Sequence, residues 1–141
     1  MLYFDRVETH WPLRVQLTIG SRVPLHCTAS GKLYLSSLPA VQRRRLIAQL
    51  DLKRNTENTF TDHDELLAEI SKIRAQKIGV DNEEFMQGMI AVSVPIKDQR
   101  NRMYGGLALH APVSRMSLKQ ARDFVPRLRE ASAELSAHDF E

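Results

Sequence analysis

The sequence predicts an α+β domain: an antiparallel sheet with helices set apart from it. Two observations predict the sheet. Ile90, Val92, Val94 and Ile96 alternate with Met89, Ala91, Ser93 and Pro95, the period of a strand with two distinct faces. After a polar turn at residues 98–102, residues 103–110 return as a second strand of a hairpin. The third observation concerns helices. Apolar side chains recur at helical spacing in residues 41–50, 66–73 and 118–135, with start signals ahead of them.

Length and composition limit what the chain can be. At 141 residues it is one domain with room for a single substantial core. With 43% hydrophobic and 26% charged residues it has an ordinary globular composition, which argues against disorder. A net charge of +3 is far from the dense basic stripe of a nucleic-acid reader. Arg43-Arg44-Arg45 lies within an expected helix and reads as a solvated face, a phosphate or partner contact being the lesser alternative. The lone Cys27 excludes an intramolecular disulfide and fits a reducing, cytoplasmic compartment. No apolar run approaches the ~20 residues of a membrane span, and no signal peptide is visible at Met1.

In chain order, Leu2, Phe4 and Val7, with Tyr3 among them, suggest a short strand or helix remnant. Trp11-Pro12 punctuates the chain. Leu13, Val15, Leu17 and Ile19 then alternate with polar residues as a half-buried strand, closed by a Gly20-Ser21 turn. From Val23, an apolar approach leads into small and hydroxyl residues and then a helical run. Thr28 is the expected N-cap, with Ala29, Ser30 and Gly31 as the first turn. Ser36-Ser37-Leu38-Pro39 ends this helix and starts a second, whose apolar face is Val41, Leu46, Ile47 and Leu50. Thr61 with Asp64 reads as a capping box ahead of Leu66, Leu67, Ile70 and Ile73, and Gly79 as that helix's stop. In the hairpin turn Asn101 suits a left-handed conformation, and Gly105-Gly106 permits a close backbone approach or a bulge. Ser117 with Gln120 is a second capping box, opening a helix striped by Leu118, Ala121, Val125, Leu128, Ala131 and Leu135. Pro126 within that stripe predicts a kink, costing ~3 kcal/mol if unrelieved.

Small side chains at Ala29 and Ser30 leave first-turn N–H groups uncovered, a ready site for a carboxylate. The bland alternative is a helix start packed under a loop and binding nothing. A resemblance favours the first reading. Pro24-Leu25-His26, Thr28-Ala29 and Gly31-Lys32 resemble the signature of the effector-binding domain of IclR-type bacterial transcriptional regulators. Asn58-Thr-Phe-Thr-Asp62, then Gly79-Val80-Asp81 with Glu83-Glu84, Gly88 and Ile90-Ala91-Val92, then Pro112 with Arg115, follow in that family's order. The similarity runs from about Val15 to about Leu135.

The resemblance implies a GAF-like (profilin-like) fold, a twisted antiparallel sheet flanked by helices. It implies a single effector-binding domain over residues 1–141, the winged helix-turn-helix domain of such regulators lying ahead of it and outside this chain. It implies assembly as a homodimer or homotetramer, with Arg115, Met116 or the 33–35 part of the first helix as interface candidates. Asp81 matches the position whose carboxylate faces the effector, and Glu83 and Glu84 match a Glu pair of less definite role. The expected site joins Ala29 and Ser30, holding a carboxylate, to Asp81, accepting a hydrogen bond from a hydroxyl or hydrate at the other end. Met89, Ala91, Val15 and Val23 form apolar walls. Some family members carry Cys where this chain has Ala91. The smaller side chain, with an adaptable Met89, suggests a larger or more apolar acid than the smallest keto acids, aromatic acids included.

Catalytic and metal chemistry have little support. His26 and Cys27 are neighbours, which a strand turns to opposite faces, and Cys27 reads as a small buried hydrophobe. His10, His26, His63, His110 and His138 show no ligand spacing and read as surface residues, so neither a metal nor a cofactor is expected. The competing reading is a stand-alone GAF-like enzyme or nucleotide sensor using Cys27. It suffers from the chain having one cysteine.

Overall fold

The computed structural model describes residues 1–10 and 18–138. Its elements are α1 (Ala29–Ser37), α2 (Ala40–Gln49), α3 (His63–Gln76), β1 (Gly79–Asn82), β2 (Met89–Lys97), β3 (Met103–Pro112), α4 (Leu118–Asp123) and α5 (Val125–Ala137). The three strands form an antiparallel sheet in the order β1-β2-β3. The expected α+β class, with helices flanking an antiparallel sheet, is what the structure has.

The sheet divides the core in two, where the sequence suggested one. On one face Val80, Val92 and Leu109 stand opposite one another, with Ile90, Ala111, Val94 and Leu107 alongside. They pack on Ala121, Val125 and Leu128 of α4 and α5. On the other face lies α1, whose far side meets α2 and α3 through Leu33, Leu35, Ile47, Leu66, Ile70 and Ile73. Each such large apolar side chain stabilises the fold by about 1.5–3 kcal/mol relative to solvent exposure. Leu33 and Leu35 are consumed in this core, and Tyr34 between them is half-buried. Arg115 and Met116 are half-buried.

α1 reaches the sheet because two positions there carry no side chain. A Cβ at Gly79 would collide with the Ala29 carbonyl oxygen. A Cβ at Gly106 would lie 2.8 Å from Ser30 Oγ and 2.9 Å from Ser93 Oγ. Gly106 therefore makes the close approach expected of the Gly105-Gly106 pair, while the register slips further back, between Ile96 and Lys97.

Thr28 caps α1, its hydroxyl accepting from the Gly31 N–H at 3.2 Å. Ser117 and Gln120 form the expected capping box on α4, and Asn101 takes the left-handed conformation with φ 60°. Other expectations need correction. Asp62, not Thr61, caps α3, because its carboxylate reaches both Asp64 N and Glu65 N. α3 ends at Lys77, left-handed with φ 56°, and Gly79 opens β1 instead. Pro126 does not kink a long helix. The chain breaks at Phe124 and Pro126 falls in the first turn of α5, where no intrahelical donor is lost. Val41 is 66% exposed, so the α2 face is narrower than its spacing suggested. On α5, Ala131 is exposed and Ser132 buried, its hydroxyl donating to the Pro95 carbonyl. Near the start, a single bridge pairs Leu2 with Arg22, while Phe4 and Val7 are exposed. Trp11-Pro12 and most of the 13–19 strand, Val15 included, lie outside the described residues.

Candidate functional site

Side chains directly opposite in an antiparallel sheet share a face. Asp81 pairs with Ala91 and Ala91 with His110, so these three form one row across the sheet. The adjacent row, two residues or about 7 Å along each strand, is Gly79, Ser93 and Ala108. That row seats the first turn of α1: Ala29 lies against Gly79, and Ser30 Oγ is 2.8 Å from Ser93 Oγ. The structure thus brings Ala29, Ser30, Asp81 and Ala91 onto one sheet face. Met89 stands one row beyond Ala91, opposite Pro112, and is half-buried. Val23 is buried in the approach to α1, its N–H donating to the Met1 carbonyl at 3.0 Å. Ala91 is 1% and Asp81 5% exposed.

Tyr3 and His110 were not anticipated for this site. Tyr3 Oη lies 3.1 Å from His110 Nε2, with the rings tilted by 53°. Burial pushes the Tyr3 phenol up to about 12, and the Asp81 charge adds to that. Burial lowers His110 to about 4, so the imidazole is neutral at physiological pH. The Tyr3 backbone is held by Tyr3 N to Ser21 O at 3.2 Å and Gly20 N to Tyr3 O at 2.7 Å. No signal at Tyr3 points to this role. It lies 107 residues from its partner, and only folding brings them together.

Asp81 is pushed up to about 7, chiefly by burial, against the backbone N–H of Glu84, which donates to its Oδ1 at 2.8 Å. Nearby Glu84 raises it further, and Lys32 lowers it. Glu84 is buried and also raised by desolvation, with Lys32 opposing. The fully buried Lys32 ammonium sits 2.7 Å from Glu84 Oε1 and 3.3 Å from Glu69 Oε1, and 5.1 Å from the centre of the Phe60 ring. The Oε1 contact is close in distance but poorly directed; the well-formed hydrogen bond goes to Oε2 at 2.9 Å. Glu84 Oε2 also accepts from Asn82 N at 2.9 Å. Lys32, on α1, therefore braces the turn that carries Asp81. Glu83 stabilises the same turn, with φ 54° and its Oε1 accepting from Gly88 N at 2.8 Å.

The 53–60 loop ties both halves of this region together. Thr59 Oγ1 donates to the Glu84 carbonyl at 2.6 Å, Asn58 Nδ2 to Asn82 O at 2.9 Å, and Asn55 Nδ2 to Cys27 Sγ at 3.2 Å. Cys27 is fully buried, and burial raises its thiol to about 11. It is an inert small hydrophobe, as its sequence context suggested. His26 is not a surface residue. It is 3% exposed, with Nε2 2.8 Å from the Lys53 carbonyl, and His110 is half-buried with Nε2 against Tyr3 Oη. Among the described residues no three His, Cys, Asp or Glu side chains gather as a metal site. Two open depressions, of about 380 Å³ at the β2–β3 hairpin and about 330 Å³ beside Phe60, Glu69 and Glu84, lie apart from the Asp81 row.

Helices on both faces of a small antiparallel sheet, with the Asp81–Ala91–His110 row beside a capped helix start, make a GAF-like domain. The family model for the bacterial transcriptional regulator IclR C-terminal domain matches residues 1–137, and the chain belongs to this family. A Cupriavidus necator protein named as a probable transcriptional regulator, SauR, is 49% identical over 96% of this chain and 54% of its own length. The transcriptional regulator KdgR of Escherichia coli is 31% identical over 99% of this chain and 55% of its own length. Among solved structures, Thermotoga maritima IclR aligns with TM-score 0.88 and 30% identity, covering 96% of this chain and 55% of that one. An inducer-binding domain of Acinetobacter PobR, a double mutant in complex with 3-hydroxybenzoic acid, aligns with TM-score 0.82 and 28% identity over 91% of this chain and 77% of that one. The chain spans about half the length of the curated relatives it matches. These relatives are regulators, and the domain is regulatory, not enzymatic. Among the described residues no helix is long and apolar enough to cross a membrane.

Proposed function

We propose that this chain senses a small organic acid and that its occupancy changes DNA binding by a separate winged helix-turn-helix domain. The observation that carries the reading is the Asp81–Ala91–His110 row lying one step along the sheet from the first turn of α1. The Ala29 and Ser30 N–H groups, which intrahelical bonding leaves over, receive the effector carboxylate. Asp81 meets a hydroxyl or hydrate at the other end, and Ala91, Met89 and Val23 supply apolar walls.

An ionised Asp81 would repel such a ligand. With its pKa near 7 the group is about half protonated at neutral pH, and a bound anion favours the protonated form further. The aromatic acid held by the PobR domain supports an effector of that size class. The regulator works in the cytoplasm as a homodimer or homotetramer, and the effector acts by binding one arrangement of the attached domains more tightly than another.

Thermal-shift titration with small organic acids tests this. A stabilising acid is expected for the parent, with the shift lost in both Asp81→Ala and Ser30→Trp. Full retention of the shift in both variants would place the binding site elsewhere.

A further inference from the structure

We propose that Tyr3 and His110 are specificity-determining residues of this site, forming an uncharged hydrogen-bonding edge that selects monocarboxylates bearing a neutral polar group and rejects dicarboxylates. The inference rests on the acid-sensing reading above and concerns which acids the site takes.

Geometry places the pair. His110 stands two strands from Asp81 in the same row, with Ala91 between them. Tyr3 joins from the N-terminal segment, its hydroxyl bonded to His110 and subject to the charge of Asp81. Tyr3 is half-buried while Leu2 and Phe4 on either side are exposed, so this one side chain of the segment turns inward.

Chemistry gives the preference. The Tyr3–His110 bond joins two neutral groups that can each donate or accept, depending on the imidazole tautomer. When the phenol donates to Nε2, its oxygen is left to accept from a ligand hydroxyl. Neither group is cationic at neutral pH, and His110 would have to bind a proton to meet a second carboxylate. The surrounding charges do not help either. Asp81 and Glu84 are buried acids, Cys27 is a buried thiol, and the Lys32 ammonium is engaged by Glu84 and Glu69. A first carboxylate is met by the helix start; a second would be buried beside Asp81 and Glu84, where Lys32, the buried cation among the described residues, is already paired, a severe cost. A hydroxyl in the same place gains a hydrogen bond.

Two matched sets of acids test the inference by calorimetry on the full chain: benzoate, 3-hydroxybenzoate and isophthalate, and propionate, 3-hydroxypropionate and malonate. In the set that binds, the hydroxy acid is expected to be about tenfold tighter than the plain acid, the worth of one hydrogen bond. The diacid is expected to be at least about tenfold weaker than the hydroxy acid. Tyr3→Phe should bring the hydroxy acid to within about twofold of the plain acid without weakening the plain acid. His110→Gln, which keeps an acceptor for the phenol, should retain part of the preference, whereas His110→Val should lose it. Unchanged melting curves confirm that the variants fold. A diacid binding as tightly as the hydroxy acid, or a hydroxyl preference that survives Tyr3→Phe, overturns the inference while leaving acid sensing intact. If none of the six acids binds the parent, acid sensing itself fails and the inference with it.

Discussion

The two faces of the sheet are made by alternate residues of the same three strands, yet they do different work. Toward α4 and α5 the strands present Val80, Ile90, Val92, Val94 and Ala111, a continuous apolar surface. Toward α1 they present Gly79, Asp81, Ala91, Ser93, Gly106 and His110, which are small, polar or both. The first face contributes burial. The second gives up burial so that a helix start can approach and titratable groups can stand enclosed beside it. Stability and recognition are thereby separated by one residue of register.

The comparison is broken most severely where α1 meets the sheet. Gly79→Val should yield no cooperatively folded protein, since its side chain would enter the space of the Ala29 carbonyl. A cooperative melt near the parental temperature would show that α1 is not seated there. On the polar face, pH should act through Asp81. Its folded pKa near 7 lies above the unfolded value, so its contribution is full at pH below about 4 and is lost as pH rises through 7. The change is on the order of 4 kcal/mol, at 1.36 kcal/mol per unit. His110, lowered to about 4, acts in the opposite sense, losing stability as pH falls from 6.5 through 4. Denaturant titrations of Asp81→Asn should therefore show stability rising from pH 4 to 6.5 and level above it, with the variant gaining on the parent between pH 4 and 7 and the gap constant beyond. A parent and variant with parallel pH profiles would refute the burial of that carboxyl.

On the apolar face, Val92→Ala should cost about 2 kcal/mol with no change in pH dependence, read from equilibrium unfolding. An equally pH-dependent loss would mean that the faces are coupled. The smallest effect concerns Ser30 and Ser93. Either single change to Ala should cost about 1 kcal/mol by stranding its partner, and the double variant should cost no more than one single, because both polar groups go together. Strict additivity in that cycle would deny the hydrogen bond.

Much of this contrast could be read along the chain. The alternation at 89–96 announced two unlike faces, and Thr28, Ser117 and Asn101 announced their caps and turn through local chemistry. Asp81, Ala91, Ala29 and Ser30 could be nominated by resemblance, and folding brings them to one face. Local signals failed where neighbours compete. Thr61 and Asp62 are both good caps, and the longer reach of the carboxylate to two amides decided between them. Lys77 took a left-handed conformation although Gly79 stood ready two residues later, because Gly79 was needed for the approach of α1. His26 gave no sign of burial, nor His110 of its Tyr3 partner, since a histidine's neighbours in sequence say little about what covers it.

By itself the sequence determined the periods, the caps at Thr28 and Ser117 and the family, because these depend on residues within a few positions of one another or on a pattern in order. Tertiary structure alone decided that Tyr3 meets His110, that Lys32 is locked to Glu84 and Glu69, and that Asp81 holds its proton near neutrality. Those outcomes depend on desolvation and on charges brought close from distant segments. Neither quantity exists until the chain has excluded water from the sheet face.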